Sequence, residues 1–345
     1  MVRASVIATL IVVVGCGRLG FEGDTGTDAG GIEEPDPDSA VAPTVAREWS
    51  VATPADNPGQ LLAPKLTYFP PNQSILLYGG TRVVADVATT SAALWEYDGT
   101  NWRQICDPCG AGVRAGHEYV FDVAQGLSLL FGGDNGAGGG LADVWHYSEG
   151  TGWRVHGTTG TPPSAMVNFS ASYDVTRGVT VVITGENEVF ELDGTVWSGP
   201  LDVVPGARSD RGSSATYDPT RGGVVVYGGT GADSALLDDA WVWNGSDWTM
   251  ICDGCTGQPR QGASVVYDPV LRETFVVGGE GSAPIAGTWI LGEAQPVDAQ
   301  PNARNRAGVA YDLNRDVLVV FGGSGPDCAG ALAACDETLE MALVP

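Results

Sequence analysis

Six aromatic residues along this chain are each followed, eleven residues later, by a glycine-rich stop. The aromatics are Tyr68, Phe121, Tyr173, Tyr217, Tyr267 and Tyr311, and five of them precede an aspartate: Asp122, Asp174, Asp218, Asp268 and Asp312. The stops are Gly79-Gly80, Gly132-Gly133, Thr184-Gly185, Gly228-Gly229, Gly278-Gly279 and Gly322-Gly323. Steps of 53, 52, 44, 50 and 44 residues between aromatics rule out a single irregular domain. They require a structural unit that repeats and stacks against its neighbours.

The fourth unit reads most clearly. A short run ending at Tyr217 meets the turn Asp218-Pro219-Thr220-Arg221-Gly222, whose Asp and Pro favour tight reversal. Gly223 to Tyr227 is then almost continuously apolar, as a strand covered on both faces is. The paired glycines permit left-handed backbone and close approach. Asp239-Ala240-Trp241-Val242-Trp243, the hairpin signal Asn244-Gly245 and Trp248 supply two more strands. Four short antiparallel strands per unit predict an all-β propeller blade.

The aromatic-Asp pair, the diglycine, the Asp-x-Trp of Asp143 and Asp239, and the later Trp together resemble the kelch family, which includes the central domain of galactose oxidase. The resemblance covers residues 47 to 345 and implies a six- or seven-bladed propeller used mostly as a binding scaffold. The units depart from it in places: Phe69 replaces the first Asp, Thr184 replaces a glycine, and unit five offers no clear fourth strand. The last unit supplies only three strands, while Arg47-Glu48-Trp49-Ser50-Val51 is an orphan resembling fourth strands elsewhere. We therefore expect six blades, with the strand at Trp49 closing the ring and removing open edges.

Residues 1 to 15 read as an export signal: Arg3, then an apolar run from Val6 to Val14 too short for a permanent span. Val13-Val14-Gly15-Cys16 resembles the lipobox of bacterial lipoproteins, which implies lipidation at Cys16. Gly17 rather than Asp at the next position implies delivery to the outer membrane. An ordinary signal with an incidental Cys16 is the alternative. Residues 16 to 46 carry seven acids and one base with little apolar content, an acidic linker expected to be disordered. The propeller follows from residue 47.

The net charge is −25, and Lys65 is the only lysine. That balance argues against nucleic acid and against anionic surfaces as partners. Contact with membrane is expected only through the anchor, and the propeller is expected to be monomeric. Besides Cys16 there are three local cysteine pairs, Cys106/Cys109, Cys252/Cys255 and Cys328/Cys335. In an exported chain they point to disulfides. Two CxxC motifs in opposite units cannot share one zinc ion, and neither opens a helix as redox pairs do. No cofactor or metal is expected.

Long loops at Thr81 to Ala93, Asp134 to Ala142, Thr230 to Asp238, Glu280 to Ala286 and Ser324 to Asp336 fall on one face, and loops on a rigid scaffold usually carry binding. Unit three has only Gly185 to Glu188 there, which predicts a notch in the rim. Arg114, Arg260 and Arg304 each stand seven residues before a repeat aromatic. They are candidates to line the channel mouth and hold an anion, with Asp134 and Asp238 beside them. The alternative is that each pairs with an acid or carbonyl of a neighbouring blade. No catalytic residue is assigned: phosphate-loop, zinc-protease and nucleophile-elbow motifs are absent. The sequence thus predicts an envelope scaffold binding a protein or glycan. The alternatives are a carbohydrate-active hydrolase or lyase using paired carboxylates, and a structural envelope component.

Overall fold

The computed structural model describes residues 46–345 except 206–207, 210–213, 298–301, 329, 331 and 345. The expected export signal, Cys16 and the acidic linker lie outside them. Within the described residues there is no helix, and the strands form seven antiparallel sheets of three to five strands with one short parallel pairing. Six sheets correspond to the six units. The fourth comprises Ser214–Asp218, Gly223–Gly231, Leu236–Trp243 and Trp248–Cys252. The second is Glu118–Asp122, Leu127–Phe131, Val144–Ser148 and Gly152–Val155.

The first strand of each sheet packs against the first strands of its neighbours, in the order of the chain from Lys65–Phe69 round to Gly308–Asp312, which again touches Lys65–Phe69. The second strands are the most buried; in Ser74–Tyr78, Val179–Ile183 and Val317–Phe321 every residue is covered. This is the continuous apolar pattern doing what its sequence predicts.

The first described strand, Ala46–Ala52, pairs antiparallel with Thr338–Val344, Trp49 opposite Met341. It is the outermost strand of the sixth sheet. Arg47 ties it further inward: the guanidinium bonds Tyr311 at 2.8 Å and forms a salt bridge with the fully buried carboxylate of Asp268 in the fifth sheet.

The diglycines have a specific task. The second glycine N–H donates to a backbone carbonyl of the following unit: Gly80 to Arg114, Gly133 to Met166, Gly229 to Arg260 and Gly279 to Arg304, all at 2.7–2.9 Å. Gly323 makes the same bond back to Leu61, at 2.8 Å. At Gly228, φ is 60° and an added Cβ would lie 2.9 Å from the Arg260 carbonyl oxygen, so both conformation and space demand glycine.

The repeat aspartates cap the turns that follow them. Asp218 Oδ1 accepts from the N–H groups of Thr220 and Arg221, Asp268 from Val270 and Leu271, and Asp312 from Asn314 and Arg315. The Asp-x-Trp pairs are local bonds too: Trp145 Nε1 donates to Asp143 at 2.7 Å and Trp241 Nε1 to Asp239 at 2.8 Å. All ten tryptophans are buried or half-buried, which places them in the blades rather than on a surface platform.

Several expectations are refined. The first long loop is not irregular: Thr81–Val84 and Val87–Thr90 form a hairpin that pairs with Leu61–Leu62. The third, at Thr230 to Asp238, is short because strands extend to Gly231 and from Leu236. The fifth sheet has three strands, Ser264–Asp268, Glu273–Val277 and Thr288–Ile290, and Val297 N donates to Thr288 O where a fourth strand would run. Beside the minimal turn of unit three, Val204 is buried and its N–H donates to Asn187 O, so the chain after Pro200 lies along part of the expected notch.

Candidate functional site at the channel mouth

A cavity of about 300 Å³ lies among the N-terminal ends of the first strands of the sheets. A second cavity of about 360 Å³ continues among the same strands toward the opposite end, where the repeat aromatics stand. The N-terminal ends lie on the side of the long loops, because each first strand is entered from the preceding unit and left through the short Asp-capped turn.

The entry is built from a repeated left-handed residue five positions before each repeat aromatic. Ala63, Gly116, Asn168, Gly262 and Arg306 have φ between 49° and 63°, and all five line the upper cavity. The sixth equivalent, Gly212, is outside the described residues. Neighbouring bends touch: Asn168 N donates to Gly116 O and Arg306 N to Gly262 O, each at 2.9 Å. Asn168 and Arg306 are exposed there.

Below this rim stand Lys65 and Glu118, three residues before their respective aromatics. Their side chains form an ion pair across adjacent sheets at 2.5 Å. Equivalent positions on the other strands hold Ser170, Ser214, Ser264 and Gly308. The only lysine of the chain is thus spent inside the channel. Burial pushes the Glu118 carboxyl up, and Lys65 opposes that shift. His117 is fully buried beside them, its ring nitrogens closed to solvent against the Tyr78 backbone, and its ring meets Tyr78 edge-on at 5.7 Å. Burial, with Lys65 and Arg114 nearby, pushes its imidazole down to about 3, so it is neutral at pH 7. The arrangement offers a cation and a carboxylate to one polar cavity, with the His117 imidazole sealed in the wall behind them. Among its described lining residues Glu118 is the one carboxylate.

The arginines expected at this mouth are elsewhere. Arg114, Arg260 and Arg304 are at most 1% exposed, and each guanidinium turns into its own blade. There it donates to the first glycine carbonyl of that unit: Gly132, Gly278 and Gly322, at 2.8, 2.9 and 2.8 Å. Arg114 adds a bidentate pair with Asp143 at 2.6 and 2.8 Å, and Arg304 an ion pair with Glu337 at 2.6 Å. Arg260 lies 3.9 Å over the Trp289 ring and bonds Thr256. A guanidinium so enclosed has no donors to offer an incoming anion, and the geometry corrects the expectation of an arginine-lined mouth. Asp238 is buried and accepts from Tyr227 and Thr256, both at 2.7 Å. Asp134 caps Gly136 N in its own loop.

The cysteines pair locally as disulfides, Cys106–Cys109, Cys252–Cys255 and Cys328–Cys335, with Cα separations of 5.2, 5.3 and 4.9 Å. Arg82 of the first hairpin reaches Asp107 within the first of these staples, at 3.3 Å.

No protein-family model matches the chain, and no curated protein matches it. Among solved structures, one titled "Structure of YjhT" superposes with a TM-score of 0.63 at 12% identity. The match covers 86% of this chain and 100% of that one. Identity at that level speaks to the fold alone: all-β and propeller-like.

Proposed function

We propose that residues 46 to 345 are a six-bladed kelch-like propeller, closed by pairing the Trp49 strand with the last strand. The protein is then an exported, Cys16-anchored binding module of the cell envelope. It takes a polar group of a glycan or protein ligand into the channel mouth on its loop-bearing side. The observation that carries this reading is the Lys65–Glu118 pair inside a polar cavity. Hydrogen bonds to charged groups are the stronger ones, and a hydroxyl- or amide-bearing ligand would bond the accessible side of this pair. The recurrence of the glycine-to-carbonyl junction at Gly323 and Leu61 supports the ring.

A glycoside hydrolase would need two carboxyls about 5 to 9.5 Å apart in the pocket. The single lining carboxylate does not favour it.

The test is capture from native envelope extract, beside a panel of immobilised polysaccharides, using the full chain and Lys65→Met. The parent should retain a component that Lys65→Met releases. Equal retention by both, with the fold intact, overturns the site. Loss of membrane association in Cys16→Ser tests the anchor separately.

A further inference from the structure

The two remaining histidines form a pair far from the channel, on the outer strands of the second sheet. His146 lies on Val144–Ser148 and is half-buried, and His156 follows Gly152–Val155 and is buried. Their Nδ1 atoms face each other at 3.4 Å, with rings perpendicular and centroids 5.4 Å apart. That separation exceeds the usual range of about 2.7–3.2 Å for a nitrogen-donated hydrogen bond. It matches the spacing, about 3.4 Å, of two imidazole nitrogens that share a tetrahedral ion at about 2.0–2.1 Å each.

The tautomer of His156 is settled by its other nitrogen. Nε2 lies 2.9 Å from the carbonyl oxygen of Gly194 in the third sheet. A carbonyl only accepts, so Nε2 carries the proton and Nδ1 of the neutral ring keeps its lone pair. Carbonyls and carboxylates commonly orient metal-ligating histidines in this manner. The same Gly194 oxygen accepts from Gln125 Nε2 at 3.2 Å, which fixes it in place.

We propose that His146 and His156 form a two-histidine site for a borderline-soft divalent transition metal ion, with solvent supplying the remaining donors. The chemistry selects the ion class. Arg154 stands directly across the strand pair from His146, and among the described residues no carboxylate joins the pair as a third ligand. Hard cations such as Mg²⁺ and Ca²⁺ need carboxylate or carbonyl oxygens and gain nothing here. Zn²⁺ and Cu²⁺ bind neutral imidazole well, Cu²⁺ the more tightly.

The test is calorimetric titration of the full chain with Zn²⁺, Cu²⁺ and Mg²⁺, with electron paramagnetic resonance of the Cu²⁺ form. The site predicts one Cu²⁺ and one Zn²⁺ per chain, no Mg²⁺, and coupling of the copper to two imidazole nitrogens. His146→Gln, at a half-exposed position that should tolerate the change, should weaken Zn²⁺ binding by more than about tenfold. Undiminished binding in that variant, copper without two nitrogen ligands, or no Zn²⁺ uptake by the parent overturns the proposal. The spectroscopic count decides independently of how the variant folds.

Discussion

Phe69 and Phe121 meet edge to face with ring centroids 5.9 Å apart, at the one junction of the six that lacks both a repeat aspartate and a tyrosine hydroxyl. Elsewhere the tyrosine of one unit reaches the Asp turn of the unit before it. Tyr173 OH accepts from Ala124 N at 3.2 Å, Tyr217 OH bonds Thr176 at 2.5 Å, and Asp312 raises the Tyr68 phenol by its charge, after burial. The two exceptions thus match each other: where the aspartate is missing, the next aromatic has no hydroxyl to satisfy.

A double-mutant cycle follows from that pairing. Phe69→Asp alone buries a carboxylate at a position fully closed to solvent and should cost several kcal/mol, about 3 or more. Phe121→Tyr alone should cost about 1–2 kcal/mol through an unpartnered hydroxyl. Together they should recover a favourable coupling of about 0.5–3 kcal/mol, read by denaturant unfolding. Strict additivity would mean that the two positions do not communicate.

Arg47 should matter more than its place near the start of the described chain suggests. Its removal leaves Asp268, fully buried, without a cation. Arg47→Ala is expected to lose about 3–5 kcal/mol in urea unfolding, the usual cost of orphaning a buried charge. A loss under about 1 kcal/mol would show that the strand is only loosely docked.

The buried arginines divide from the turn arginines by the same measurement. Arg260→Ala should destabilise by about 3 kcal/mol or more, since it removes a stacked and multiply bonded guanidinium. Arg221, a quarter exposed and paired with Asp218 at 3.4 Å, should cost less than about 1 kcal/mol when replaced. Similar losses in both would contradict the roles assigned here.

His117 sets an acid limit. The folded imidazole titrates near 3 and the unfolded one near 6.5, so between these values the unfolded chain binds a proton that the native chain does not. Stability from this residue is present above pH 6.5 and is lost as pH falls, at up to about 1.4 kcal/mol per pH unit. His117→Leu should flatten the stability profile between pH 6 and 4 relative to the parent, by about that slope. An unchanged profile would place the titration elsewhere.

Most of the blade framework was legible in the sequence because its signals are local. The aromatic-Asp turn, the diglycine and the Asp-x-Trp bond each join residues within one unit or at one junction. Trp49 was legible as well, since it resembles Trp102 and Trp248. The channel mouth was not. Lys65 and Glu118 are 53 residues apart, and only the lateral contact of neighbouring strands brings them together. The available hints were that Lys65 is the sole lysine and that charge stands where other units have serine or glycine. For Arg114, Arg260 and Arg304 the sequence held two roles, pairing within the fold and holding an anion, and spacing could not choose because it gives a residue's height along the strand but not the direction of its side chain. The left-handed bend at Asn168 and Arg306 also escaped notice, because neither residue type demands it.

The proposed ring requires that the first described strand pair with the last. Glu48 and Ala342 are direct partners across that pair. Facing residues of antiparallel strands come close enough for a disulfide. In the variant Glu48→Cys with Ala342→Cys, mild oxidation should join the two ends within one monomer. Non-reducing electrophoresis should show a faster-migrating species, and tryptic mapping should recover a peptide linking positions 48 and 342. Failure of the cross-link to form in the folded monomer, or its appearance only between two molecules, would contradict the closed ring.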